Sequence, residues 1–357
     1  MLYYNNEIYY VGKVMEKKLL KRSLSFAMMI AVVFSTIIAS SFIKANAAET
    51  EKAVTLTQGE NTSQHDTVQE AVAAVAADNT QAVITLNKDF EGAGAVVKKD
   101  QNIVFNLNGF TWNINSLVGS SGTETNGVQL LQGSTVTIEN GTLTSKTAKL
   151  LIQNYCDLTI RNATLSGQDN LTEIIVSNNN GSTVITGNSA VQAAAGGIAF
   201  DSDKWGGYQG GNVTLENGQV IGNVNATNGG KISLNGGTVT GDVIASNYTY
   251  QGNEKTPANI VIDGATINGN VTAQNIGNIS ISSGTVTGLV SSESTSPVAV
   301  TGGVFHTTLG ENVDTSAAEY VASIESNGQI KTVVGKTDFD AAVQSLKSGE
   351  TINIQVV

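Results

Sequence analysis

The sequence predicts an all-β protein, a parallel β-helix (β-solenoid) with an N-terminal capping helix, and three observations carry that expectation. A strand-patterned unit repeats: Val213-Thr-Leu-Glu-Asn-Gly-Gln-Val-Ile-Gly-Asn-Val-Asn-Ala226 aligns with segments starting at Ile232, Ile260 and Ile279, in steps of 19, 28 and 19 residues. Within a unit the apolar residues alternate, as at Ile232, Leu234, Val239, Val243 and Ala245, and Gly or Asn-Gly separates the short runs. Alternation at period two is strand patterning, and self-similarity at a fixed short period marks stacked repeats. Composition agrees, with 38 glycines but only 2 prolines in 357 residues, and 14% charged residues where about a quarter is usual. The glycines thus mark turns, not a collagen-like or Pro-rich segment. A chain that is 40% hydrophobic and so weakly charged is not disordered, and one cysteine, Cys156, excludes a disulfide or zinc framework.

Read in order, the chain opens with an export signal. Residues 1–14 are an odd preface, and Met15 has the character of the true start. Met15-Glu-Lys-Lys-Leu-Leu-Lys-Arg22 is a positive n-region, Leu24 to Phe42 an uncharged apolar run, and Ala45-Asn46-Ala47 a small-x-small cleavage site. The reading is a signal peptide over 15–47, against an uncleaved membrane anchor, since the apolar run is long. The first 47 residues hold six basic side chains (Lys13, Lys17, Lys18, Lys21, Arg22, Lys44) against Glu7 and Glu16. The exported part therefore carries 13 basic and 28 acidic residues, net −15, with Arg161 its only arginine. Nucleic-acid binding needs a basic footprint that is missing here, and no membrane span remains after cleavage.

Residues 48–64 read as a linker. Val68, Ala71, Val72 and Val75 then share one helical face, and Ala82-Val-Ile-Thr-Leu86 follows as a strand. This is the expected cap of a β-helix over 65–305, since an open sheet edge invites aggregation. Phe105-Asn-Leu-Asn-Gly-Phe-Thr-Trp112 is the first full coil, and coils starting at Val136, Leu158 and Val184 precede the regular ones. The 28-residue step contains a nine-residue insertion around Tyr248–Pro257. Residues 306–335 close the body. Phe339-Asp-Ala-Ala-Val-Gln-Ser-Leu346, Gly349 and Thr351-Ile-Asn-Ile354 then repeat the helix-then-strand pattern, so residues 336–357 read as the start of a second, truncated cap module.

The cap helix, the strand leading to Phe105-Asn-Leu-Asn-Gly109 and the Ile-x-Ile-x-x-Gly-x-Val units resemble right-handed parallel β-helix proteins of the pectate-lyase-like superfold. Their flavour is that of large secreted surface proteins of Gram-positive, gut-type bacteria, and Gly302-Gly303-Val304-Phe305 resembles the end of one such helix. The resemblance covers about residues 65–357. It implies a right-handed winding, as strand-crossover preference also does. It does not specify an activity, because the superfold hosts lyases, hydrolases, adhesins and passive stalks.

The chemistry-bearing residues are few. Pectate lyases carry a calcium-binding cluster of acids and a basic residue, whereas this chain has only Arg161, with Asp157 four residues before it as a surface ion pair. No Gly-His-Gly or Arg-Ile-Lys motif of polygalacturonases occurs, and His65 and His306 lie at opposite ends of the body. No catalytic residue is assigned. Asp201 and Asp203 are the best candidate carboxylates, with Glu173 and Glu216 as possible neighbours. Asp-x-Asp equally suits a weak metal site, calcium being the one cofactor in view. The insertion Ala199–Gly211 also carries Trp205 and Tyr208, and the second insertion Tyr248 and Tyr250, all near glycines. Such aromatics either stack on sugar rings, making these four the candidate glycan-binding residues, or fold back to seal the flank. The turn asparagines Asn140, Asn162, Asn217 and Asn235 read as stacked structural residues. The expectation is an exported, secreted or cell-surface bacterial protein. It would be non-catalytic and adhesin-like, presenting loops to a polysaccharide or to host glycan or matrix. A polysaccharide lyase or glycoside hydrolase, and a passive structural stalk, are the alternatives.

Overall fold

The computed structural model describes residues 52–167, 172–247 and 256–355. The expected signal segment 15–47, the preface before it, and Tyr248 and Tyr250 lie outside them. Among the described residues no helix is long and apolar enough to cross a membrane.

The repeat becomes strands in the register the alignment predicts. The unit at Val213 forms Gly210–Leu215, Gln219–Ile221 and Asn223–Ala226. Its apolar positions meet their equivalents in parallel pairing: Val213↔Ile232, Ile232↔Ile260, Ile260↔Ile279. The third strands do the same through Val224↔Val243, Val243↔Val271 and Val271↔Val290. Every one of these residues is buried, so each unit covers the apolar row of the last. Burying a Val, Leu or Ile side chain stabilises by about 1.5–3 kcal/mol, and this recurs in every unit. The first two strands of a unit belong to a 22-stranded sheet, and the third to a separate sheet of nine strands, all parallel.

The pairing corrects the expected solenoid. In the large sheet eight strands close on themselves. Asp157–Gly167 pairs with Asn180–Thr186, which continues through Gly210–Leu215 and Lys231–Leu234 to Asn259–Asn268. From there the ladder returns through Thr238–Thr240, Gln219–Ile221 and Ala190–Gln192 to Asp157–Gly167. The result is a closed ring of eight parallel strands, a barrel in its pairing, with the nine-stranded sheet beside it. The physical reason is local. The sequence reading placed a chain-breaking turn at each Asn or Gly corner, but in the two long strands Asn162 (φ 52°) and Gly264 (φ 113°) bend the strand without ending it. Each long strand therefore pairs with two shorter ones and joins the two arms of the ring.

Two smaller differences also have local causes. The coil read from Val184 starts one residue earlier, because Leu158 pairs with Thr183 and Ile160 with Ile185. Thr183 takes the buried place, where its hydroxyl is hydrogen-bonded. The residues read as a linker include an antiparallel hairpin, Val54–Gln58 with Asn61–His65.

Helix α1 (Val68–Ala74) follows the hairpin. The Thr67 hydroxyl caps it by accepting from the Glu70 N–H at 3.1 Å, and Val68, Ala71, Val72 and Val75 are buried as patterned. Strand Gln81–Leu86 then pairs antiparallel with Val54–Gln58 and parallel with Asn102–Asn106. Near the other end, Val321–Ser326 and Gln329–Val334 form a hairpin, followed by helix α2 (Lys336–Ser345) and strand Thr351–Gln355. Layers stack so closely that Gly230 has no room for a side chain: a Cβ there would lie 1.7 Å from the Ser202 carbonyl oxygen.

Candidate functional site: a polar rim on the nine-stranded sheet

Alternation along the nine-stranded sheet sends one set of residues inward and the next outward. The inward row includes Val176, Phe200 and Val224, all buried. The outward row runs Gln129, Gln153, Ser177, Asp201, Asn225, each the register partner of the next. One residue beyond the strand ends the stacking continues. The Asn179 N–H donates to the Asn154 carbonyl, Asp203 N–H to that of Asn178, and Thr227 N–H to that of Ser202. Tyr155, Asn179, Asp203 and Thr227 thus form a second row, two residues along the chain from the first. Asp201 and Asp203 sit at the same layer of these adjoining rows.

The contacts follow from this stacking. The Thr227 hydroxyl donates to Asp201 Oδ1 at 3.1 Å, and the Asn179 amide donates to Asp203 Oδ1. Burial, and then the charge of Asp203, push the Asp201 carboxyl up to about 7, against the opposing Thr227 hydrogen bond. Burial also raises Asp203, opposed by Asn179. The Tyr155 phenol is pushed up to about 12 by burial, then by Tyr208 and Asp203, so it remains a neutral hydrogen-bonding group. Its oxygen accepts from Gln153 Nε2 at 3.0 Å. Beside Asp201 in the ladder, Asn225 Oδ1 is buried without a partner.

The excursion after Asp203 lies over this rim. Lys204 and Asn228 hold its start through two hydrogen bonds, Lys204 N–H to the Asn228 carbonyl and Asn228 Nδ2 to the Lys204 carbonyl. A turn in which Tyr208 N–H donates to the Trp205 carbonyl brings the chain back, and Gly211 N–H closes it on the Asp203 carbonyl. The two readings of the aromatics divide between the residues. Tyr208 folds back onto Tyr155, with ring centroids 4.8 Å apart at 38°, whereas Trp205 remains 43% exposed beside Gly206 and Gly207.

Behind the rim is a buried polar stack. Asn154 Nδ2 donates to Asn178 Oδ1 at 2.7 Å and Thr183 Oγ1 at 3.0 Å, Asn154 Oδ1 accepts from the Cys156 N–H, and the Thr183 hydroxyl bonds Asn178 Oδ1. Cys156 is a buried free thiol, pushed up to about 12 chiefly by burial.

Other sequence candidates lie elsewhere. Arg161 bonds Glu139 on the neighbouring strand, not Asp157, whose Oδ1 accepts from the Ser182 hydroxyl at 2.8 Å. Glu173 pairs with Lys149 before the start of strand Ile174–Asn178, away from the strand end that carries the rim, and Glu216 follows a strand of the large sheet. Among the described residues no group of three or more His, Cys, Asp or Glu side chains could hold a metal. Asp201 and Asp203 with the orphaned Asn225 oxygen fall short of the six to eight oxygens calcium takes. Sequence reasoning missed Tyr155, Asn179 and Thr227. The available signal was the 24-residue spacing of Tyr155, Asn179 and Asp203, outside the 19-residue repeat.

In comparisons with known proteins the chain matches no family model, no curated protein and no solved structure.

Proposed function

We propose that this is an exported, non-catalytic, adhesin-like surface protein that binds a polysaccharide or a host glycan through the rim around Trp205. The observation that carries the reading is an exposed indole, on a short excursion anchored at both ends, beside a row of carboxylate, amide and hydroxyl groups. An aromatic face packs on the apolar face of a sugar ring while side-chain carboxylates and amides take its hydroxyls, and function concentrates on such anchored loops. The acidic balance of the chain favours neutral sugars over polyanionic ones. The test is binding of residues 48–357 to a panel of plant, mucin and matrix glycans. The expected result is binding that Trp205→Ala weakens at least tenfold with no change in Tm. No binding across the panel would instead leave a passive stalk.

A second reading, polysaccharide cleavage, is favoured by one observation: two neighbouring carboxylates of which one holds a proton near neutrality, as an acid–base pair requires. Arg161 is engaged with Glu139 and does not join them. Release of oligosaccharides that disappears with Asp201→Asn would establish cleavage and displace the binding-only proposal.

A further inference from the structure

The two ends of the described body contain the same module. A hairpin (Val54–Gln58 with Asn61–His65) is followed by α1 and by Gln81–Leu86, which returns antiparallel to the first strand. A hairpin (Val321–Ser326 with Gln329–Val334) is followed by α2 and by Thr351–Gln355, which returns antiparallel in the same way. Helix ends match in detail: the Val75 N–H bonds the Val72 carbonyl, and the Leu346 N–H bonds the Val343 carbonyl. Between helix and strand each copy turns through a left-handed residue, Asn79 (φ 64°) in the first and Gly349 (φ 91°) in a shorter connection in the second. Val68, Ala71, Val72, Val75, Ile84 and Leu86 therefore correspond to Phe339, Ala342, Val343, Leu346, Ile352 and Ile354, since Ile84 opposes Leu56 and Leu86 Val54 in the first copy as Ile352 opposes Ile324 and Ile354 Ala322 in the second.

The copies differ in what covers them. Val72 is 4% exposed and Leu86 1%, whereas Val343 is 43% exposed and Ile354 57%. In the first copy the cover is visible. Strand Asn102–Asn106 pairs parallel with Gln81–Leu86, placing Phe105 beside Ile84. Gln101 Nε2 donates to the carbonyls of Val72 at 3.0 Å and Val75 at 3.1 Å, closing the C-terminal end of α1. In the second copy Thr351–Gln355 pairs on one side only, with Val321–Ser326, among the described residues, and no side chain there donates to the Val343 or Leu346 carbonyls. The module has its own small core of Ile324, Val333 and Ala342, with Phe339, Leu346 and Ile352 packed on it.

We infer that the face formed by Thr351–Gln355 and Val343 is a docking surface for a further parallel β-layer of the kind this chain builds on its first module. The partner is a strand with alternating apolar residues, as in Ile103 and Phe105, preceded by a glutamine that reaches the last carbonyls of α2. The occupant is defined by the module itself, because one copy already holds such a layer.

The test is an extended protein in which residues 90–357 follow Val357, so that Gln101, Ile103 and Phe105 of the added copy reach the second module. The natural chain, in which the same residues fold on 52–86, is the control. Amide exchange over 351–355 is expected to slow at least a hundredfold on extension, approaching that of 83–87. Gln101→Ala in the added copy should return part of that protection. Unchanged exchange over 351–355, or an added copy without a cooperative melt, overturns the inference. So does concentration-dependent protection of 351–355 in the natural chain, which would make the face a self-interface.

Discussion

Asp201 is where single-residue chemistry departs most from the ordinary. Its folded-state pKa of about 7 stands above the ordinary 3.8. Below about pH 4 the residue is protonated whether the chain is folded or not. Between about 4 and 7 the unfolded chain releases the proton and the folded chain retains it, so stability falls across that window and levels above it. Asp201→Asn removes the penalty, and its amide suits the orphaned oxygen of Asn225. The variant should be more stable than the parent at pH 8, by about 1–3 kcal/mol, with no difference at pH 4; denaturant titrations at both pH values check this. Cys156 offers a second residue-scale test. A thiol that is buried and pushed up to about 12 is neither accessible nor a thiolate at neutral pH. It should not react with a thiol reagent at pH 8 until the chain unfolds, so the rate of labelling in denaturant should track the unfolding curve.

At the scale of elements, the strand end carrying Asn154, Asn178 and Ser202 shows why alternation alone did not reveal the site. These are inward positions in the same ladder as Leu130 and Ala226, and all are fully buried. A hydropathy pattern assigns such positions to apolar residues, and the asparagines look like turn residues. Burial of the Asn154 amide is tolerated because it bonds Asn178 and Thr183 in the next layer, which sequence distance conceals, while Asn178 Nδ2 and Ser202 Oγ are buried without partners. Asn154→Leu should cost about 3 kcal/mol, since it leaves the buried Cys156 N–H without a partner and takes one of two donors from Asn178 Oδ1. Adding Thr183→Val should deepen the loss, because Asn178 Oδ1 then keeps neither of its donors. Chemical denaturation of the two variants and the parent completes the comparison.

For the molecule as a whole, the closed ring and the repeat together define which cuts the chain survives. Asn278–Val286 pairs with both parts of Asn259–Asn268, through Ile260↔Ile279 and Ile267↔Val286. Removing residues 260–278 joins Asn259 to Ile279, setting Ile279 on Ile232 and Val286 on Val239. The ring then keeps eight strands, and Val290 takes the place of Val271 on Val243. The deletion should fold, with an unchanged far-UV spectrum shape, a single melt at a lower Tm, and any glycan binding at Trp205 intact. A protein that loses cooperativity would show that the units are not interchangeable.

The 19-residue register, the all-β character, the face of α1 and the helix-then-strand at both ends were determined by the sequence alone. All four depend on spacing between near neighbours or on identical units, and a single chain displays both directly. Only the tertiary structure decided that two long strands bend at Asn162 and Gly264 without ending, closing a ring where an open solenoid was expected. It alone also set Tyr155, Asn179, Asp203 and Thr227 in one row. Positive φ at an asparagine or glycine is compatible with either a turn or a bend, and hydrogen bonding to the neighbouring layers selects between them. Residues 24 apart likewise meet only because of the path of the intervening chain.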